Sequence, residues 1–171
     1  LEYRAIRDVA KEDPRTYAVV EILLQTGVRI GELTSICVSD VKDSALVVRG
    51  YGKSSGREVP LSPSVKKAID DYLAVRGSQT SPDDLLFVTR TGKGLLIRNV
   101  RQIIMRCFKE VGIENATIND FRNTFIAHQL MAGYSIDYIA KIVGHKRLSS
   151  TERFLSLVKE TPHKKDKIEE L

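Results

Sequence analysis

The sequence predicts a mainly α-helical α+β domain with a small three-stranded antiparallel sheet. Three observations carry that prediction. Apolar residues recur at helical spacing behind cap residues along most of the chain. One pair of β-branched runs, ALVVRG and REVPL, flanks the Gly/Ser-rich turn YGKSSG. A short apolar run, LLFV, is bounded by loops and is read as the third strand.

In chain order, Asp13-Pro14 is a cap followed by a first-turn proline, opening an apolar helix through Val19, Ile22, Leu23 and Leu24. Gly27 stops it, and a short helix follows at about Gly31 to Ile36. The two β-branched runs form a hairpin whose tip carries Lys53. Ser62-Pro63 opens another helix, with Val65, Ala68, Ile69, Tyr72 and Leu73 on one stripe. LLFV is a buried strand placed to pair with the hairpin, and RTGKG turns the chain into a helix carrying Val100, Ile103, Ile104, Cys107 and Phe108. Further helices are expected from about Asn119 to Met131, Ser135 to Val143, and Ser149 to Val158. Residues 1–158 form the domain, and 159–171 form a charged tail, either mobile or docking in trans.

Composition narrows the function classes. The 171 residues are 42% hydrophobic and 29% charged, as in an ordinary globular domain. No window approaches the roughly 18 apolar residues of a membrane span, and Leu1 to Val9 is too broken by charge for a signal peptide. Leu1 in place of a methionine makes the chain read as an excised fragment. Cys37 and Cys107 lie among apolar residues without metal-ligand spacing and read as buried thiols of a cytoplasmic protein. A net charge of +5 allows a polyanionic partner without establishing one.

The chain shows no Walker loop, because TRTGKG lacks the P-loop spacing, and no carboxylate cluster of the kind that holds two metals. Phosphate, if handled, must be met by side-chain cations. Arg29, in TGVRIGEL, lies between two helices with Glu32 one turn on as a ready partner. Arg122, in INDFRNTF, is flanked by Phe121 and Phe125 on a helix that must be half buried. Either arginine alone reads as a structural ion pair. Together, with Lys53 on a hairpin tip and His145 at a helix junction, they suggest an anion site.

TGVRIGEL, the GKSSGREVPL hairpin, NDFRNTF and GHKRLSSTERF, in that order, resemble the tyrosine recombinase (phage integrase) family, most closely its compact Xer-like members. Any one box is weak, but the four in order span the chain to about Val158. The resemblance implies the catalytic-domain fold of that family and its chemistry. DNA is cleaved by a tyrosine hydroxyl through a 3′-phosphotyrosyl link and rejoined by the reverse attack, with neither cofactor nor metal. It implies that Arg29 and Arg122 clamp the scissile phosphate, that Lys53 is the general acid, and that His145 hydrogen-bonds the phosphate or helps activate the nucleophile. Lys146, Arg147, Arg98 and Arg101 suit contacts to the DNA backbone, or are solvated surface charge. The implied partners are double-stranded DNA and further copies of the chain, four on two duplexes and a monomer when free. The implied location is the cytoplasm, at the nucleoid in a prokaryote. Family members also carry an N-terminal domain that completes a clamp around DNA.

Two positions depart from the family pattern. Asn119 stands where a histidine usually opens the second box, and Asn123 replaces a common histidine after Arg122. An amide can bond a phosphate oxygen but cannot shuttle a proton near neutral pH. The nucleophile position holds Phe154, which has no hydroxyl, so the chain is expected to bind DNA without cleaving it there. Three explanations are open: an engineered Tyr-to-Phe change, a naturally inactive relative serving as a DNA-binding or regulatory protein, or a nucleophile elsewhere. Tyr134 and Tyr138 are the nearest alternatives and read as packing residues.

Overall fold

The computed structural model describes residues 2–50, 55–77 and 81–157. Eight α-helices, one antiparallel hairpin and two short 3-10 helices, joined by loops, make up these residues. Helix α1 (Tyr3–Ala10) is followed by α2 (Pro14–Thr26) and the single turn α3 (Ile30–Leu33). Strands β1 (Ala45–Val48) and β2 (Arg57–Pro60) come next, then α4 (Pro63–Arg76), α5 (Ile97–Glu110), α6 (Ile118–Met131), α7 (Ile136–Val143) and α8 (Ser149–Glu152).

Helix α2 is the axis of the molecule because its later turns are buried on every side. Every residue from Ala18 to Thr26 is buried, and α1, α3, α4, α5 and α6 pack around it. Asp13 caps it by accepting the Thr16 N–H at 3.0 Å, and Pro14 occupies the first turn. Two polar residues on this buried helix are satisfied locally. Glu21 accepts from the Arg7 guanidinium at 2.5 Å, and Gln25 accepts the Ser62 hydroxyl at 3.0 Å and donates to Ser64 at 3.1 Å. The second half of the core forms where α6 lays Phe121, Phe125 and Ile126 inward, with Phe121 stacked on Phe108 of α5 at 5.5 Å.

Several expectations hold and some are corrected. The caps at Asp13 and Ser62 stand as read, the helix expected from about Ser135 is α7 with Ser135 as its cap, and Gly27 ends α2 in the left-handed conformation at φ 61°. Helix α1 had no cap signal to announce it. It forms because Ile6 and Ala10 fall on one face against α2. Among the described residues the sheet has two strands rather than three, with Leu46 opposite Val59 and Val48 opposite Arg57. LLFV does not join the hairpin. Leu85 bridges Cys37, the Leu86 N–H goes to Ile36 at 2.7 Å, and Arg76 donates to the Leu85 and Leu86 carbonyls, so its backbone groups are already taken. The last helix is also shorter than expected. It stops at Glu152, and the Phe154 N–H bonds back three residues to Thr151 at 3.0 Å, which turns Phe154 into the core. Lys53 and the 159–171 tail lie outside the described residues.

Candidate functional site

The site is built on two helix ends. Helices α2 and α7 both close on left-handed glycines, Gly27 at φ 61° and Gly144 at φ 69°. The cap at Gly144 is sealed by the His145 N–H, which donates to Ala140 at 2.9 Å. His145 is therefore fixed by the local geometry of the helix end. The last carbonyls of any helix lack partners within it and carry its negative dipole end, so they attract cations. Here three consecutive carbonyls at the end of α7 are each taken by a different arginine. Arg57 Nε donates to Ile142, Arg122 Nη2 to Val143 at 2.6 Å, and Arg29 Nη2 to Gly144 at 3.3 Å. Arg122 also reaches the Gly27 carbonyl at 2.5 Å, tying the end of α2 to the end of α7.

The sequence-predicted residues can now be placed. Arg29 caps α3 and keeps 41% of its side chain exposed, while Arg122 on α6 is only 9% exposed. His145 joins them: its titration is governed by burial first and then by the charges of Arg122, Arg29, Arg153 and Arg57, which hold the imidazole down at about 4. It is neutral at physiological pH. Burial, with Arg29 next and Arg57 and Arg153 adding to it against Glu32, lowers Arg122 to about 9, which still leaves it a cation. Phe154 is buried, with the Arg153 guanidinium 4.9 Å from its ring centroid. Asn119 is exposed in the first turn of α6, three residues before Arg122. Lys146 and Arg147, after His145, and Arg98 and Arg101, in the first turns of α5, are all exposed.

Arg57 is a site residue that sequence reasoning missed. Its guanidinium donates to both oxygens of Glu32, at 2.8 and 3.0 Å, and both side chains are nearly or wholly buried, 8% and 0% exposed. Glu32, read from sequence as the partner of Arg29, is mainly the partner of Arg57. Arg29 contacts it through its own N–H at 2.7 Å and its guanidinium at 3.3 Å. Burial alone would raise the Glu32 carboxyl, but the hydrogen bonds and charge of Arg57 and Arg29 hold it at about 2. The signal was present in REVPL: strand alternation puts Arg57 on the same inward face as buried Val59. The second residue missed is Thr151, wholly buried, whose hydroxyl oxygen stands 2.7 Å from His145 Nδ1.

Among the described residues, four guanidiniums act on this site: Arg57, Arg29 and Arg122 share the charge of one buried carboxylate, Glu32, while Arg153 adds its charge to those acting on Arg122 and His145. Such an excess of preorganised cationic donors suits an anion. No group of three or more His, Cys, Asp or Glu side chains suited to a metal occurs among the described residues, and no helix there is long and apolar enough to cross a membrane. A separate cleft of about 770 Å³ opens between α1, α4 and α5, and none of Arg29, Arg122, His145 or Phe154 lines it.

The architecture is shared with solved recombinases. The crystal structure of XerA recombinase superposes with a TM-score of 0.81 at 31% identity, covering 90% of this chain and 55% of that one. XerH site-specific recombinase bound to difH substrate, in a pre-cleavage complex, has the same fold, with a TM-score of 0.77 at 17% identity over 90% of this chain and 48% of that one. The phage integrase family matches residues 2–160, and the chain belongs to that family as an Xer-like tyrosine recombinase. Tyrosine recombinase XerC of Corynebacterium glutamicum is 32% identical over 139 residues, 81% of this chain and 45% of the relative. The chain spans about half the length of the curated relatives it matches.

Proposed function

We propose that this chain is the phosphate-handling half of a site-specific DNA recombinase, cleaving and rejoining strands through a 3′-phosphotyrosyl link in its tyrosine-bearing form. One observation carries the reading: Arg29, Arg122 and His145, from three separate elements, meet at the end of α7. In the proposed roles, Arg29 and Arg122 hold the non-bridging oxygens of the scissile phosphate and stabilise the charge that grows as phosphorus becomes five-coordinate. Lys53 protonates the leaving 5′ oxygen, and Asn119 adds an amide hydrogen bond near Arg122. His145 completes the phosphate shell. The exposed Lys146, Arg147, Arg98 and Arg101 contact the DNA backbone, which makes binding salt-sensitive. The Tn1549 transposon integrase, of the same fold, was captured in complex with transposon right end DNA, which supports DNA as the partner here. Four copies on two duplexes, monomeric when free, acting in the cytoplasm and with the tail docking in trans, complete the proposal.

Phe154 makes this chain cleavage-deficient in the proposal, because a phenyl ring offers no nucleophile. The burial of that ring under Arg153 favours a second reading, a recombinase-derived protein that binds DNA and never cuts it. Restoring the hydroxyl separates the two. The Phe154→Tyr protein is incubated with a nicked suicide substrate, and a covalent protein–DNA adduct is expected. DNA binding without any adduct would leave the non-cleaving reading standing.

A further inference from the structure

Thr151 lies on α8, three residues before Phe154, and its side chain is wholly buried. Its hydroxyl oxygen is 2.7 Å from His145 Nδ1, and among the described residues that nitrogen is its one hydrogen-bond partner. A hydroxyl has one proton to give, so the pair can be arranged in few ways. If Thr151 donates to Nδ1, both groups are satisfied, and the imidazole proton sits on Nε2. If Nδ1–H donates to Thr151 instead, the threonine proton is left buried with nothing to accept it. Such an orphaned donor disfavours that arrangement roughly tenfold or more. An imidazolium would orphan the same proton and would add a fifth positive charge beside Arg122, Arg29, Arg153 and Arg57.

We propose that Thr151 is a positioning residue that locks His145 in the Nε2–H tautomer, so that the imidazole offers a hydrogen-bond donor, and not a proton acceptor, to a phosphate at the site. The second half of this statement rests on the function proposed above. The sequence resemblance left His145 two roles, bonding the phosphate or helping to activate the nucleophile, and the tautomer selects the first, the one proposed above. In the proposed site a fixed Nε2–H acts as a preorganised donor alongside the two arginines. The same threonine also accepts the Phe154 N–H on its backbone carbonyl at 3.0 Å. One residue thus sets both the histidine tautomer and the turn that carries position 154.

The test is a long-range ¹H–¹⁵N correlation spectrum of the uniformly labelled full chain at pH 7. A pyrrole-type shift at His145 Nε2 and a pyridine-type shift at Nδ1 are expected. A proton on Nδ1, or on both nitrogens, overturns the proposal. Thr151→Val keeps the shape and removes the hydroxyl, so the Nδ1–H form should rise several-fold, and Thr151→Ser should restore the single tautomer. An unchanged pure Nε2–H spectrum in Thr151→Val also overturns it. Should the valine variant fail to fold, the spectrum of the unaltered chain decides alone. In a Phe154→Tyr background, Thr151→Val should slow adduct formation roughly 10- to 100-fold, with recovery in Thr151→Ser. If the Phe154→Tyr parent forms no adduct at all, the functional reading falls, while the tautomer is still judged by its spectrum.

Discussion

Glu32→Gln is the substitution whose cost the structure defines best. The carboxylate is wholly buried and accepts from Arg57 at 2.8 and 3.0 Å and from the Arg29 N–H at 2.7 Å. Glutamine keeps the shape and one acceptor but removes the charge that neutralises a buried guanidinium. Holding the carboxyl at about 2, against its ordinary 4.5, corresponds at about 1.4 kcal/mol per pH unit to about 3 kcal/mol of stability at neutral pH. That agrees with the roughly 3–5 kcal/mol lost when one member of a buried ion pair is removed. At about 2–4 °C per kcal/mol for a domain of this size, Tm should fall by about 6–12 °C. The sign of the pH dependence follows from the depressed pKa. The contribution is complete above the unfolded-state value and is lost as pH falls through the folded one, so the deficit of the variant should shrink between pH 5 and pH 2. At pH 3 it should be about half its value at pH 7. Urea titrations of both proteins, followed by circular dichroism across this range, measure it. A deficit below about 0.5 kcal/mol at pH 7, the scatter of ordinary surface changes, would refute the reasoning, as would one that is flat down to pH 3.

Two further outcomes follow from the same site. Gly27→Ala places a Cβ 2.6 Å from Phe125 Cδ1 at φ 61°, so it should cost about 2–4 kcal/mol, whereas Gly112→Ala, at φ 72° with open space around it, should cost only the left-handed backbone term of about 1–2 kcal/mol; paired denaturation curves compare them. His145 should stay neutral down to about pH 5 in an NMR titration, and Arg153→Gln should move its midpoint up from about 4, because one of the charges opposing protonation is gone. Its folded pKa lies below the ordinary 6.5, so its contribution to stability is present above that value and is lost as pH falls toward 4.

The helices were legible in sequence where a cap preceded an apolar stripe, as at Asp13-Pro14 and Ser62-Pro63, because capping and periodicity are local physics. The hairpin was legible for the same reason, and its tip lysine, Lys53, falls outside the described residues. Strand pairing of LLFV was not, since which carbonyls satisfy a short run depends on chain segments distant in sequence, here Ile36 and Arg76. Arg29, Arg122 and His145 were singled out because each is a cation or imidazole in an apolar or turn-bounded context, and the structure does bring them together. The order of the four motifs was enough to indicate a domain of a known family, which composition alone was not. Only the tertiary structure shows that Glu32 belongs chiefly to Arg57, 25 residues away, and that Thr151 faces His145. Those pairings are decided by where β2 and α8 pack against the end of α7. A buried charge or hydroxyl must find a partner among whatever the fold places beside it, and sequence separation does not encode that neighbour.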